Sequence, residues 1–156
     1  MEDKDIRIQR AVEYFKSGFN CSQSVVAAFA DMYGFSEEQA LRMAASFGGG
    51  IGRMRQTCGA ACGMFLLVGL ETGAVRGDDH EGKSKNYAVV QELAKKFDIE
   101  NGSLICAELL GLAPKHPIVS QAEQRTDAYY AKRPCAKMVE TAARIFADYL
   151  ECKNIE

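Results

Sequence analysis

The 156-residue chain is 47% hydrophobic and 26% charged, with a net charge of −2 and 6 cysteines. That balance describes one folded domain spanning residues 1–156 and excludes both a disordered chain and a basic nucleic-acid binder. The most apolar run, residues 60–70, is shorter than the roughly 20 residues a bilayer requires, so the chain is not expected to be membrane-embedded. Its start, MEDKDIRIQR, is charged and lacks the apolar region of a signal peptide, which predicts a cytoplasmic protein.

In chain order the pattern is helical. Residues 5–16 place Ile6, Val12 and Phe15 near one face, and Gly18 closes the segment. Asn20 caps a second helix over 21–33, which Gly34 stops. Ser36 opens a third with Glu37, Glu38 and Gln39 in its first turn, a capping-box pattern that runs toward FGGGIG at 47–52. Thr57 caps the fourth helix, CGAACGMFLLVGLE, read as a buried central helix near residues 58–72. After a polar loop at 77–82, a fifth helix covers 83–97, and Asn101-Gly102 turns the chain.

Ser103 opens a short sixth helix, SLICAELL, closed by Gly111. Pro114 and Pro117 make 113–119 irregular, and residues 121–131 form a further short helix. Pro134, suited to a first helical position, begins the last one, which continues to about Cys152. No strand series, repeat or low-complexity tract interrupts the pattern. The predicted fold class is all-α, a compact multi-helix bundle with Phe15, Phe29, Phe47, Phe65 and Phe146 in its core. Tyr129-Tyr130 either lines a site or covers that core.

Cys21, Cys58, Cys106 and Cys135 each fall at or just past a predicted helix start. Free N–H groups and the dipole at a helix N-terminus favour thiolate over thiol. At exposed sites the dipole supplies about 0.3–1 kcal/mol, against about 1.36 kcal/mol per pKa unit, so activation needs a further cation, a metal or more donors. Arg133 and Lys137 flank Cys135, and Arg53 and Arg55 precede Cys58. Cys62 lies four residues after Cys58 and shares its helix face, so the pair either ligates a metal or Cys62 serves as a small core residue. The core reading is preferred. Cys152 has no comparable setting.

No compact Cys-x2-Cys pattern is present, so a zinc ribbon is not indicated. Four thiolates from four helix starts can converge on an iron–sulfur cluster or another soft metal, or form redox disulfides. Before Cys58, Gly48, Gly49, Gly50 and Gly52 adjoin Arg53 and Arg55. Such a loop either aims backbone N–H groups at an anion or cofactor, with Gly48, Gly49, Gly50 and Arg53 as its binding residues, or makes a tight interhelical turn. It lacks the Gly-Lys-Ser/Thr ending of a Walker loop and the preceding strand of a dinucleotide fingerprint. The acidic loop Asp78, Asp79, His80, Glu81 is read as solvated rather than as a cation site, and His116 stands in PKHP.

Taken together, FNCSQSV, FGGGIGR, CGAACG, SLICAELLG and PCAKMVE resemble the C_GCAxxG_C_C family of redox-active proteins. The family's central motif matches Cys58-Gly59-Ala60-Ala61-Cys62-Gly63, and its other cysteines fall on Cys21, Cys106 and Cys135; Cys62 and Cys152 are extras. The resemblance implies redox activity carried by cysteines. A related domain, similar to part of the split-Soret cytochromes, implies an iron–sulfur centre, and members tend to be encoded near transporters.

The resulting expectation is thiol–disulfide or electron-transfer chemistry with Cys58 as the central thiol and Cys21, Cys106 and Cys135 as its partners. The same four residues are the ligands in the metal-binding alternative. The third reading is a non-catalytic helical protein linked to a transporter. The implied partners are a redox protein or a small thiol, with a homodimer left open and no nucleic acid.

Overall fold

The structure, a computed structural model, describes residues 3–155, the last by its backbone alone. Eight helices carry these residues: α1 (Lys4–Lys16), α2 (Cys21–Ala27), α3 (Glu37–Ala44), α4 (Gly59–Thr72), α5 (His80–Asn101), α6 (Cys106–Leu109), α7 (Asp127–Lys132) and α8 (Cys135–Ile155). Short 3-10 turns occupy Ala30–Tyr33 and Ala45–Phe47. Among the described residues there is no strand, only an isolated antiparallel bridge between Thr57 and Ile105. The fold is all-α, as the helical periodicity predicted.

Helix α4 sits at the centre, packed against α2, α5 and α8, while α1 lies across α2 and α8. Its first six residues, Gly59 to Met64, are all buried, followed by Leu67 and Val68. A helix apolar on every side can be satisfied only by neighbours on every side. Its small residues permit close approach: a Cβ on Gly63 would lie 2.9 Å from the Ser22 carbonyl oxygen and 3.1 Å from the Val25 Cβ of α2. Helix α8 contributes Val139, Ala142, Ala143 and Phe146 to the core, and the Phe146 ring meets Phe29 edge-to-face at 5.1 Å. Helix α5 packs along one stripe, with Leu93 and Phe97 buried and Val89 half-buried four and eight residues before them.

Several boundaries differ from the sequence reading. The second helix stops at Ala27 and gives way to the 3-10 turn before Gly34, where Arg7 of α1 reaches across to donate to the Ala28 carbonyl at 2.9 Å and to Asp31 at 2.6 and 2.9 Å. The fifth extends to His80–Asn101 because Asp79 caps it through the Gly82 N–H. The sixth starts at Cys106 rather than Ser103, whose hydroxyl instead accepts from the Ile105 N–H. Helix α7 begins at Asp127, capped by Thr126, so the expected helix over 121–125 is irregular chain. Thr57 belongs to the bridge, and Cys58 itself stands at the N-cap of α4. Pro134 precedes the last helix rather than opening it. Phe47 and Phe65 are half-buried rather than core, whereas Phe97 is fully buried.

Two glycines of α4 give opposite predictions. Gly69→Ala meets no neighbour within 4 Å and should stabilise the protein by about 0.5–1 kcal/mol through helix propensity. Gly63→Ala drives a methyl against the backbone of α2 and should destabilise by about 1–3 kcal/mol despite the same propensity gain. Urea unfolding of the two variants beside the parent checks both signs.

Candidate functional site

Four separately positioned cysteines meet at one pocket. Cys21 is the first residue of α2, behind a reciprocal capping box in which the Asn20 side chain accepts from the Gln23 N–H at 2.9 Å and Gln23 accepts from the Asn20 N–H at 3.0 Å. The Asn20 amide also donates to the Ala45 carbonyl at 3.0 Å, tying this helix start to the turn before the glycine loop. Cys58 and Cys106 are brought together by paired backbone bonds: the Cys58 N–H donates to Leu104 and the Cys106 N–H to Gln56, each at 2.7 Å. Cys135 is the first residue of α8, where the Pro134 carbonyl accepts from the Lys137 and Met138 N–H groups at 3.0 and 3.1 Å.

The glycine loop forms the floor. Gly49, Gly50, Ile51, Gly52 and Arg53 hold consecutive positive φ values between 56° and 74°, and Arg55 follows at 60°. This is a left-handed turn, which side chains disfavour by roughly 1–2 kcal/mol per residue and glycine does not. Its N–H groups from Ile51 to Gln56 are spent on carbonyls between Ser46 and Ile51. From Ile51 onward the loop is therefore a tight turn closed on itself. Its closeness to the cysteines is steric as well: a Cβ on Gly50 would lie 2.6 Å from the Cβ of Cys106.

The pocket has a volume of about 440 Å³, and Cys21, Cys58, Cys106 and Cys135 line it together with Gly48, Gly49, Gly50 and Arg53. All the residues that the sequence grouped as thiol and cofactor candidates thus share one cavity. Lys137, the other cation beside Cys135, is exposed and does not line it. Cys62 lies outside the pocket, its thiol 3.8 Å from the Thr57 carbonyl, and Cys152 is exposed on α8. The acidic loop is committed elsewhere, with Asp78 paired to Arg76 at 3.0 Å and Asp79 capping α5.

The sequence reading missed two pocket residues, Glu123 and Arg125, both on the irregular segment 112–126, where no periodicity marks which side chain faces inward. Arg125 donates to the Phe15 and Phe19 carbonyls at 3.1 and 2.9 Å, with its guanidinium over the Phe15 and Tyr129 rings at 4.6 and 4.8 Å. Tyr129 both lines the site and carries that cation. Among the described residues, four arginines, Arg53, Arg55, Arg125 and Arg133, and one carboxylate, Glu123, line the pocket with the thiols.

This setting separates the cysteines chemically. Interaction with the Cys21 thiol, aided by the charges of Arg133, Arg125 and Arg55, lowers Cys135 below the ordinary thiol range against the pull of burial. The same interaction, with burial, pushes Cys21 well up. Burial raises Cys58 to about 12, although the Ala61 and Ala60 N–H groups at the helix start act the other way. Burial also raises Cys106, opposed by Arg55, whose Nη1 donates to its sulfur at 3.6 Å. Cys62 is pushed up to about 11 by burial alone. The most acidic thiol is therefore Cys135 and not Cys58, the residue expected at the centre. The helix start is common to all four, and burial and arginine contact decide among them. Among the described residues, no group of three or more His, Cys, Asp or Glu side chains is arranged to hold a metal ion.

Comparison with known proteins places this cysteine arrangement. The family described as "Putative redox-active protein (C_GCAxxG_C_C)" matches residues 19–149. The chain belongs to this family. All four pocket cysteines fall within the matched residues of this C_GCAxxG_C_C protein, and Cys152 falls outside them. It is also similar to an uncharacterized protein of Archaeoglobus fulgidus, 30% identical over 152 residues that cover 93% of each chain. No solved structure matches the chain. Among the described residues, no helix is long and apolar enough to cross a membrane.

The geometry sets the order of reactivity in this C_GCAxxG_C_C chain. Alkylation followed across pH with peptide mapping should show Cys135 reacting first, with a midpoint below that of an ordinary cysteine. Cys21→Ala removes the neighbouring thiol that lowers Cys135 and should move that midpoint upward. Arg133→Gln should move it in the same direction, since a cation that favours the thiolate is lost.

Proposed function

We propose that the protein is a dithiol redox protein in which Cys135 is the attacking thiolate and Cys21 the resolving thiol. The observation that carries this reading is that Cys21 and Cys135, the first residues of α2 and α8, line one pocket together with two further cysteines and four arginines. A thiolate near neutrality is the effective nucleophile in thiol–disulfide exchange, because it is both populated and basic enough to attack. Cys135 attacks one sulfur of a substrate disulfide, the S–S bond breaks, and the leaving thiolate carries away the bonding pair. Cys21 then gives up its proton and attacks the Cys135 sulfur, releasing the second substrate thiol and leaving a Cys21–Cys135 disulfide. Two electrons pass from the protein to the substrate. A small thiol or a redox protein restores the pair by the reverse exchange. Cys58 and Cys106, held up by burial, keep their protons during this cycle.

A second reading has its own support. Four soft donors ring a pocket whose arginines favour a bound anionic centre, and sulfur-only ligation suits an iron–sulfur cluster. Cys21, Cys58, Cys106 and Cys135 would hold it, and it would supply one-electron transfer. The family's redox character is common to both readings.

Mild oxidation of the reduced protein should yield a peptide pair joined through Cys21 and Cys135, seen by mass spectrometry and reversed by dithiothreitol. Cys21→Ser should instead trap substrate on Cys135 as a stable mixed disulfide. Absence of both species would remove the dithiol reading. Metal analysis and a visible spectrum of protein purified without oxygen test the second: a colourless, metal-free product would remove it.

A further inference from the structure

Glu123 is the one acidic residue lining the cysteine pocket among the described residues, and it sits among three guanidinium groups. Its Oε1 lies 3.2 Å from Arg53, 3.9 Å from Arg55 and in direct contact with Arg133. The partners are unequal. The arginine side chains are 19%, 14% and 18% exposed, while that of Glu123 is 43% exposed on a segment without regular structure. The cations are fixed in the wall, and the carboxylate is the removable part. It also under-uses them: Arg53 Nη1 is buried with no hydrogen-bond partner among the described residues, a donor that natural proteins seldom leave unmet.

The trio stands between two cavities. Arg53, Arg55 and Arg133 line both the cysteine pocket and a neighbouring space of about 460 Å³ that includes His116 and Pro117. Arg55 joins carboxylate and thiol directly, with Nη2 toward Glu123 and Nη1 3.6 Å from the Cys106 sulfur. A carboxylate seated there is one guanidinium away from the cysteines. The volumes suit a small molecule rather than a protein segment.

We propose that the Arg53–Arg55–Arg133 trio binds the carboxylate of a small anionic disulfide, and that Glu123 holds the place of that carboxylate until the substrate displaces it. Guanidinium forks match carboxylates in shape as well as charge, and a substrate carboxylate can also satisfy the spare Arg53 donor. The exchange replaces one carboxylate by another, so the charge of the site is conserved while the substrate disulfide is delivered to the thiols. This substrate class rests on the dithiol reading. The reaction is then balanced: the disulfide and the Cys135 thiolate with the Cys21 thiol become a Cys21–Cys135 disulfide, one substrate thiolate and one substrate thiol.

Two measurements test it. The first is calorimetric binding of suberate, an unreactive isostere of 3,3′-dithiodipropionate. Glu123→Gln should tighten binding about fivefold by removing the competitor, and Arg133→Gln should weaken it about tenfold, with Arg133→Lys between them. Circular dichroism melts establish that each variant is folded. The second is the rate of Cys21–Cys135 disulfide formation with 3,3′-dithiodipropionate against its neutral diamide. The dianion should react about tenfold faster in the parent, and Arg133→Gln should abolish that preference. Equal rates with both disulfides, and no suberate binding even by Glu123→Gln, would overturn the carboxylate site and leave the dithiol chemistry standing. Arginine-dependent suberate binding without any Cys21–Cys135 disulfide would overturn the disulfide as substrate, and with it the dithiol reading.

Discussion

The left-handed turn at 49–53 is the constraint on which the site depends. It follows the 3-10 turn that closes α3 and reverses the chain just before α4, so the start of the central helix arrives beside α2 and the 104–106 segment. Ile51, Arg53 and Arg55 accept a backbone region that side chains avoid. What holds them is a dense set of local carbonyl bonds and the clamp between Gln56–Cys58 and Leu104–Cys106. That clamp brings Cys58 and Cys106 to one place, and the strained backbone at Arg53 and Arg55 directs two guanidinium groups to the same pocket. Strain of this kind concentrates where geometry matters to chemistry.

Packing and chemistry share residues here. The small residues of CGAACG let α4 lie against α2, with Gly59 close to the Phe47 carbonyl and the Cys21 Cβ, and Gly63 close to the backbone of Ser22. The motif is at once the seam between two helices and the means by which the starts of α2 and α4 present their cysteines side by side. Helix α8 completes the set from the other end of the chain. Its first residue, Cys135, meets Cys21, the first residue of α2.

The helical class, the central helix and the grouping of four cysteines are legible from local chemistry. Asn20, Ser36 and Gly34 mark element ends through capping and turn preferences that act within a few residues. The boundaries that slipped did so for tertiary reasons. Ser103 has the composition of a helix start, yet its neighbour Ile105 is held in the bridge opposite Thr57. Glu123 and Arg125 stand on a segment with no periodic pattern, so nothing in the sequence around them shows that they reach the cysteines.

By itself, the sequence determined which cysteines stand at helix starts, because caps and turn residues are local and readable in order. Only the tertiary structure decided which of them is acidic. Cys21, Cys58, Cys106 and Cys135 all stand at helix starts, and a helix terminus alone contributes less than about one pKa unit. Burial lifts Cys58, while the neighbouring Cys21 thiol and three arginine charges lower Cys135. Burial and charge contact are properties of distance between parts of the chain remote in sequence. For that reason the ranking of the thiols, and the carboxylate waiting among the arginines beside them, emerge only when the chain is folded.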